Sequence, residues 1–144
     1  MRMLRRTISL FIVVLVVTAL TGCGGTSLKK GSPEAAVQDL LTLRSKLVTD
    51  AAKYAALVDT SVAEALAADS RSRSATRAPT PQWTTPVRTS ATSETAEVTV
   101  TWKADAKFKT WPEASIFSLK KNAGGWIVIA AREATSSTST TRTP

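Results

Sequence analysis

Phe117-Ser118-Leu119-Lys120-Lys121, then Asn122-Ala123-Gly124-Gly125, then Trp126-Ile127-Val128-Ile129 decide the fold class. Phe117 and Leu119 fall on one side of an extended chain and Ile116 on the other, so Ser115 to Lys121 reads as a strand. Asn122 to Gly125 has the composition of a tight hairpin turn. Trp126 to Ala131 then runs back. It is apolar on both faces, which predicts a central place in the sheet.

Upstream the same period of two recurs. Ala96, Val98, Val100 and Trp102 alternate with Glu97, Thr99, Thr101 and Lys103, the pattern of a half-buried antiparallel strand. Val87 to Thr92 is a weaker strand before it. Lys107 to Pro112 is a longer connection that carries Phe108 and Trp111.

Before residue 69 the period changes from two to 3.6. Ser32-Pro33-Glu34 starts a helix: Ser caps the free amides, Pro suits the first position, and Glu faces the positive end of the dipole. Apolar residues then recur at threes and fours through Val37, Leu40, Leu41, Leu43, Leu47, Val48, Ala51, Tyr54, Ala55 and Val58. The spacing predicts one amphipathic helix over Pro33–Val58, about 39 Å long at 1.5 Å per residue. Its polar face carries both signs of charge, so core packing explains the apolar face better than a membrane surface does. Asp59-Thr60-Ser61 breaks the helix, and Ser61-x-x-Glu64 reads as a capping box opening a second, short helix to Ala68. Residues 69–86 are rich in Ser, Thr, Arg and Pro and predict a mobile loop. Within it, Trp83 is set to pin the loop or to line a cleft mouth. Residues 134–144 are a Ser/Thr-rich tail with little to bury, expected to lack ordered structure.

The beginning of the chain carries an address. Arg2, Arg5 and Arg6 precede an apolar run from Ile8 to Leu20, and Leu20-Thr21-Gly22-Cys23 follows. The run is shorter than the roughly 20 residues a span requires and suits the apolar region of a secretory leader. It resembles the bacterial lipoprotein signal, whose lipobox these four residues match position by position. The resemblance implies a diacylglyceryl group on the Cys23 thiol and cleavage after Gly22. Cys23 is the chain's one cysteine, so there is no disulfide or CxxC motif to compete for it. The expected organisation is a leader over 1–22, a lipidated Cys and tether over 23–31, a domain over 32–133, and the tail.

Charge and composition narrow the function. Without the leader, 16 Lys and Arg stand against 11 Asp and Glu, so the exported chain is basic. Anionic headgroups or envelope polymers are possible partners, through Lys29 and Lys30 in the tether, Arg71, Arg73 and Arg77 in the loop, and Arg88. Ordinary solvation is the plainer account of the same residues, since none forms a run of like charge. Nucleic acid is not an expected partner for an exported lipoprotein. Histidine is absent, which removes the usual general base and zinc ligand. An enzyme here would need Asp105, Glu113, Glu94 or Glu97 with a raised pKa, and each sits among polar neighbours. No catalytic residue, metal or cofactor is assigned.

Long helix, broken second helix, then a meander closing on Gly124-Gly125-Trp126-Ile127-Val128-Ile129: this α+β order resembles a small NTF2-like, cystatin-related domain. The likeness spans about Ser32 to Glu133 and starts on Ser32-Pro33-Glu34-Ala35-Ala36-Val37. It implies a curved antiparallel sheet of three to four strands around the helix, leaving a cone-shaped pocket. Enzymes of that family use an Asp–His or Tyr/Asp set in the cone. Here there is no His, and Tyr54 is the one Tyr, so the resemblance favours the non-catalytic branch. The Ala, Thr and Arg bias is similar to lipoproteins of high-GC Gram-positive bacteria. The expected function is therefore a membrane-anchored envelope module that binds a protein partner or small apolar ligand. Four tryptophans support that reading. Trp102 and Trp126 alternate as core residues, whereas Trp83 and Trp111, beside prolines in connecting segments, are the candidate binding residues.

Overall fold

The computed structural model describes residues 28–109 and 111–134. The leader, Cys23 and the tail from residue 135 onward lie outside the described residues. Within them the order is α1 (Pro33–Ser45), α2 (Ala51–Ala55), α3 (Thr60–Thr76), β1 (Val87–Ala91), β2 (Thr95–Thr101), β3 (Ala114–Asn122) and β4 (Gly125–Glu133). A single 3-10 turn, Ala106–Phe108, sits between β2 and β3. The architecture is α+β, with three helices against a four-stranded antiparallel meander in the order β1-β2-β3-β4.

α1 begins as its sequence requires. Ser32 is extended, its Oγ accepts the Ala35 amide at 3.2 Å, and Pro33 takes the first turn. Pro33, Ala36, Val37, Leu40 and Leu41 form its buried face. The expected run on to Val58 is wrong, because the helix ends after Ser45. Leu47 takes φ +51°, the Leu47 amide donates to Arg44 O, and the Val48 amide donates to Leu43 O, each at 3.1 Å. That is a Schellman ending with leucine where glycine usually stands, and Leu43 and Val48 both pack against the core beside it. Asp50 Oδ1 then accepts the Ala52 amide at 3.0 Å and starts α2.

The second expectation is corrected as well. The helix after Asp59 is capped by Asp59 itself, whose Oδ1 accepts the Ser61 amide at 3.0 Å. It does not stop at Ala68. It continues to Thr76, through the first eight residues of the stretch expected to be a loop. The buried face of α3 is Ala63, Ala67 and Ser70, small side chains that allow close approach to α2. A second Schellman ending closes it, with Arg77 at φ 50°, the Arg77 amide on Ser74 O and the Ala78 amide on Arg73 O. Nor is the rest of that stretch loose. Trp83 bridges to Trp102, the Thr84 amide donates to Thr101 O at 2.9 Å, and the Lys103 amide donates to Gln82 O at 2.9 Å.

The meander follows its alternation. Ala96, Val98 and Val100 of β2 and Phe117 and Leu119 of β3 are buried on the helix side. The hairpin turns where Asn122 pairs with Gly125. Asn122 Oδ1 accepts the Gly124 amide at 2.9 Å, and Gly125 adopts φ +127°, which favours glycine. The placing of β4 at the centre of the sheet is wrong. It is an edge strand, paired with β3 on one side and met on the other by a single parallel bridge, where the Val128 amide donates to Leu57 O at 2.7 Å. Its double apolar face has another cause. Ser118 pairs with Ala130 but Leu119 with Val128, so Ile129 is the extra residue of a bulge that bends the strand. Ala134, assigned to the tail, is still tied to the sheet through its amide on Ala114 O at 2.9 Å.

Candidate functional site: an apolar cleft between helices and sheet

The core is closed toward β2 and incompletely closed toward β4. There, α1, α3 and the bulged strand leave a cavity of about 300 Å³. Leu40 and Leu41 reach it from α1, Val62 and Leu66 from α3, Phe117 from β3, and the consecutive run Val128 to Ala131 from β4. Phe117 pairs with Ala131 and Leu119 with Val128, so the bulge at Ile129 brings Val128 and Ala131, three residues apart, to the same side of the strand. Ile129 is 58% exposed and Val62 45% exposed, large apolar side chains left open along this cleft.

A second, smaller hollow of about 70 Å³ adjoins the first. Leu41, Arg44, Trp102 and Trp111 line both. Trp83, Pro81, Thr80, Ser45 and Arg73 complete the smaller one. The aromatic groups here are held by specific contacts. Trp83 Nε1 donates to Gln38 Oε1 at 3.0 Å, and Trp102 Nε1 donates to Ser115 Oγ at 2.9 Å. Trp111 stands edge-on to Trp102 with ring centroids 5.6 Å apart, and Phe108 backs it at 5.9 Å. With the N–H of Trp83 and of Trp102 satisfied by a partner, the apolar body of each indole is left to line the hollow.

Arg44 is the one charged residue lining the larger cavity. Its Nη1 lies 2.8 Å from Asp69 Oδ2, an ion pair by distance, yet that buried nitrogen has no aligned hydrogen-bond acceptor. Arg73 donates from Nη2 to Pro79 O at 2.7 Å. No Asp or Glu lines either hollow.

The structure therefore joins the two candidate tryptophans and adds Trp102, which alternation had assigned to plain core; it is half-buried and shared by both hollows. Trp83 both pins its segment and lines the cleft. The candidate cations separate. Arg73 reaches the cleft, Arg71 turns to Thr49 O at 3.2 Å, and Arg77 is exposed at the helix end. Lys29 lines a different hollow of about 320 Å³ with Arg88, Glu34 and Trp126, and Lys30 is exposed beside it. Arg88 Nε pairs there with Glu34 Oε1 at 3.1 Å, and Lys121 Nζ sits 5.8 Å from the Trp126 ring centroid.

The carboxylates considered for catalysis lie elsewhere. Glu97 pairs with Arg132 at 3.2 Å, Asp105 Oδ1 accepts the Lys107 amide at 2.8 Å, and Glu94 and Glu113 are exposed. Among the described residues no three His, Cys, Asp or Glu gather as a metal site would need, and no helix is long and apolar enough to cross a membrane. Among the described residues Asp59 alone is clearly shifted. Hydrogen bonds from the Ser61 hydroxyl and then the Ser61 amide hold its carboxyl below the ordinary 3.8.

Sequence reasoning missed Arg44 and Ile129. Arg44 had a readable signal, since it falls four residues after Leu40 and three after Leu41, on the apolar face of α1. Ile129 had none, because a bulge is set by pairing and not by pattern. No protein-family model, curated protein or solved structure matches this chain.

Proposed function

We propose that the protein is a lipid-anchored, extracytoplasmic binding module that takes a small apolar ligand into the cleft between α1, α3 and β4. The observation that carries this reading is the cavity of about 300 Å³, with an almost wholly apolar lining and a tryptophan-framed mouth. Ligand sites are typically of this kind, apolar with a few placed polar groups, and begin at about this volume. The anchor rests on the match of Leu20-Thr21-Gly22-Cys23 to the lipobox. Two or more acyl chains, at about 0.8 kcal/mol per buried methylene, would hold the domain stably at the membrane. The order of helices before a meander, with a hollow between them, supports the NTF2-like likeness; the early end of α1 departs from it.

Among the described residues, every buried core residue lies between Pro33 and Val128. A chain begun at residue 23 with Cys23→Ser therefore keeps the whole core and can be handled without detergent. Binding of the apolar fluorophore N-phenyl-1-naphthylamine tests the cleft. Val62→Trp fills the cavity from an exposed position, and it is expected to weaken binding at least tenfold while leaving the unfolding midpoint unchanged. Equal binding by this variant would sink the reading. The anchor is tested on the intact chain: mass spectrometry is expected to find the mature protein starting at an acylated Cys23, and Cys23→Ser to remain unacylated and uncleaved.

One observation favours a second reading, contact with anionic headgroups or polymers. Lys29 and Arg88 share a hollow with Trp126, at the end of the domain from which the chain runs back toward Cys23. Cations beside an indole suit a membrane interface. Retention of the unlipidated chain on anionic vesicles that falls steeply with salt would support it; retention indifferent to salt would end it.

A further inference from the structure

We infer that the cleft's ligand is a single-chain amphiphile with a carboxylate head, its acid group seated at Arg44 and its hydrocarbon tail running between α1, α3 and β4. This rests on the apolar-ligand reading and specifies the ligand's chemical class. The tail chamber and the head position are both on the page. Leu40, Val58, Leu66, Phe117 and Val128 give the chamber no hydrogen-bonding side chain. At about 30 Å³ for a water-sized group, a space of about 300 Å³ holds roughly ten such groups, the bulk of a medium acyl chain.

Arg44 stands where the two hollows meet, flanked by Trp102 and Trp111. A guanidinium carries five N–H donors in a planar fork that matches a carboxylate. Asp69 touches the Nη1 corner from α3, without an aligned hydrogen bond. That pair is partly exposed, with side chains 27% and 46% accessible, and it orients Arg44 without using up the fork. Arg73 lines the smaller hollow beside it, so two positive charges stand against the single carboxylate of Asp69 and the mouth keeps a net attraction for an anionic head. A neutral head gains nothing from that net charge, and a cationic head is repelled by it. The charge at the mouth therefore selects among molecules that the apolar chamber alone would treat alike.

The test uses the chain from residue 23 with Cys23→Ser, titrated by calorimetry at neutral pH with decanoate, decanol and decylammonium. Decanoate is expected to bind at least tenfold more tightly than decanol, and decylammonium more weakly than either. In Arg44→Gln the preference for decanoate is expected to fall to within about twofold, and a cooperative urea transition shows that the variant is folded. Arg73→Gln is expected to reduce the preference by a smaller factor. If decanoate and decanol bind alike, or decylammonium binds best, or Arg44→Gln keeps the preference, the carboxylate-head assignment is overturned while the apolar cleft stands. If none of the three binds, the apolar-ligand reading itself falls.

Discussion

The Tyr54 hydroxyl and the Ser70 hydroxyl meet at 3.0 Å inside the core, with both residues at most 1% exposed. The Tyr54 oxygen also lies 3.0 Å from Val48 O and 3.3 Å from Leu43 O. A phenol has one proton, and a carbonyl can only accept. Tyr54 therefore donates to the α1–α2 turn, and Ser70 of α3 donates to Tyr54. One buried side chain joins all three helices.

Removing that oxygen strands polar atoms where water cannot reach them. Tyr54→Phe is expected to destabilise the fold by about 1–3 kcal/mol, and Ser70→Ala by about 1 kcal/mol, because the phenol keeps its carbonyl partner. Urea unfolding of both and of the double variant checks this. The double variant is expected to fall short of the sum, since the pair shares one interaction.

Arg77 occupies the left-handed position at the end of α3, where a side chain is strained and glycine is not. The residue is exposed, so little packing is lost on truncation. Arg77→Gly is expected to stabilise the protein by about 0.5 kcal/mol, after the looser unfolded chain is allowed for. An unchanged or lower thermal midpoint would show that the Arg77 side chain does more than close the helix.

Asp59 caps α3 in its charged form. Its carboxyl is held below 3.8, first by the Ser61 hydroxyl and then by the Ser61 amide, so the folded state binds its proton less readily than the unfolded chain does. The cap's contribution is therefore complete above 3.8 and lost as pH falls through the depressed folded value. Asp59→Ala is expected to lower the midpoint at pH 7, with the difference from the parent shrinking below pH 4. A difference that is constant with pH would assign the effect to something other than the charge.

Trp111 is 42% exposed and held mainly by its edge contacts to Trp102 and Phe108. Such pairs are worth about 0.5–1.5 kcal/mol each. Trp111→Ala is expected to lower stability by about 1–2 kcal/mol and to speed release of N-phenyl-1-naphthylamine several-fold, because the mouth loses one wall. Stopped-flow dilution measures the release.

The parts that could be read ahead are those where one residue type has one job. Ser32-Pro33-Glu34 can only start a helix, β2 alternates cleanly, and Asn122 to Gly125 had to turn. Trp83 and Trp111 drew attention because an indole in a polar connection needs a reason to be there. The helix ends were hidden because Leu47 and Arg77 adopt a conformation that usually announces itself with glycine. The length of α3 was hidden because Ala63, Ala67 and Ser70 bury little apolar surface, so no hydrophobic period marks it. The rank of β4 was misread because a bulge and a central position leave the same apolar trace, and Arg44 because an arginine on a helix normally points to water.

The meander has a consequence for the order of assembly. Each strand pairs with its neighbour in sequence, and α2 packs on α3, so both halves close through short loops. The seam between them joins the more distant segments: Val58 with Val128, Gln38 with Trp83, Glu34 with Arg88. Short loops close with less entropy lost than long ones, which makes the seam the late step of folding and the first to part. The cleft lies along that seam. Exchange of the Val128 amide, bonded across it to Leu57 O, is expected to be faster than that of Leu119 within the sheet. Admitting a ligand and beginning to unfold would then share their first motion, and a bound chain that bridges the two halves would slow both.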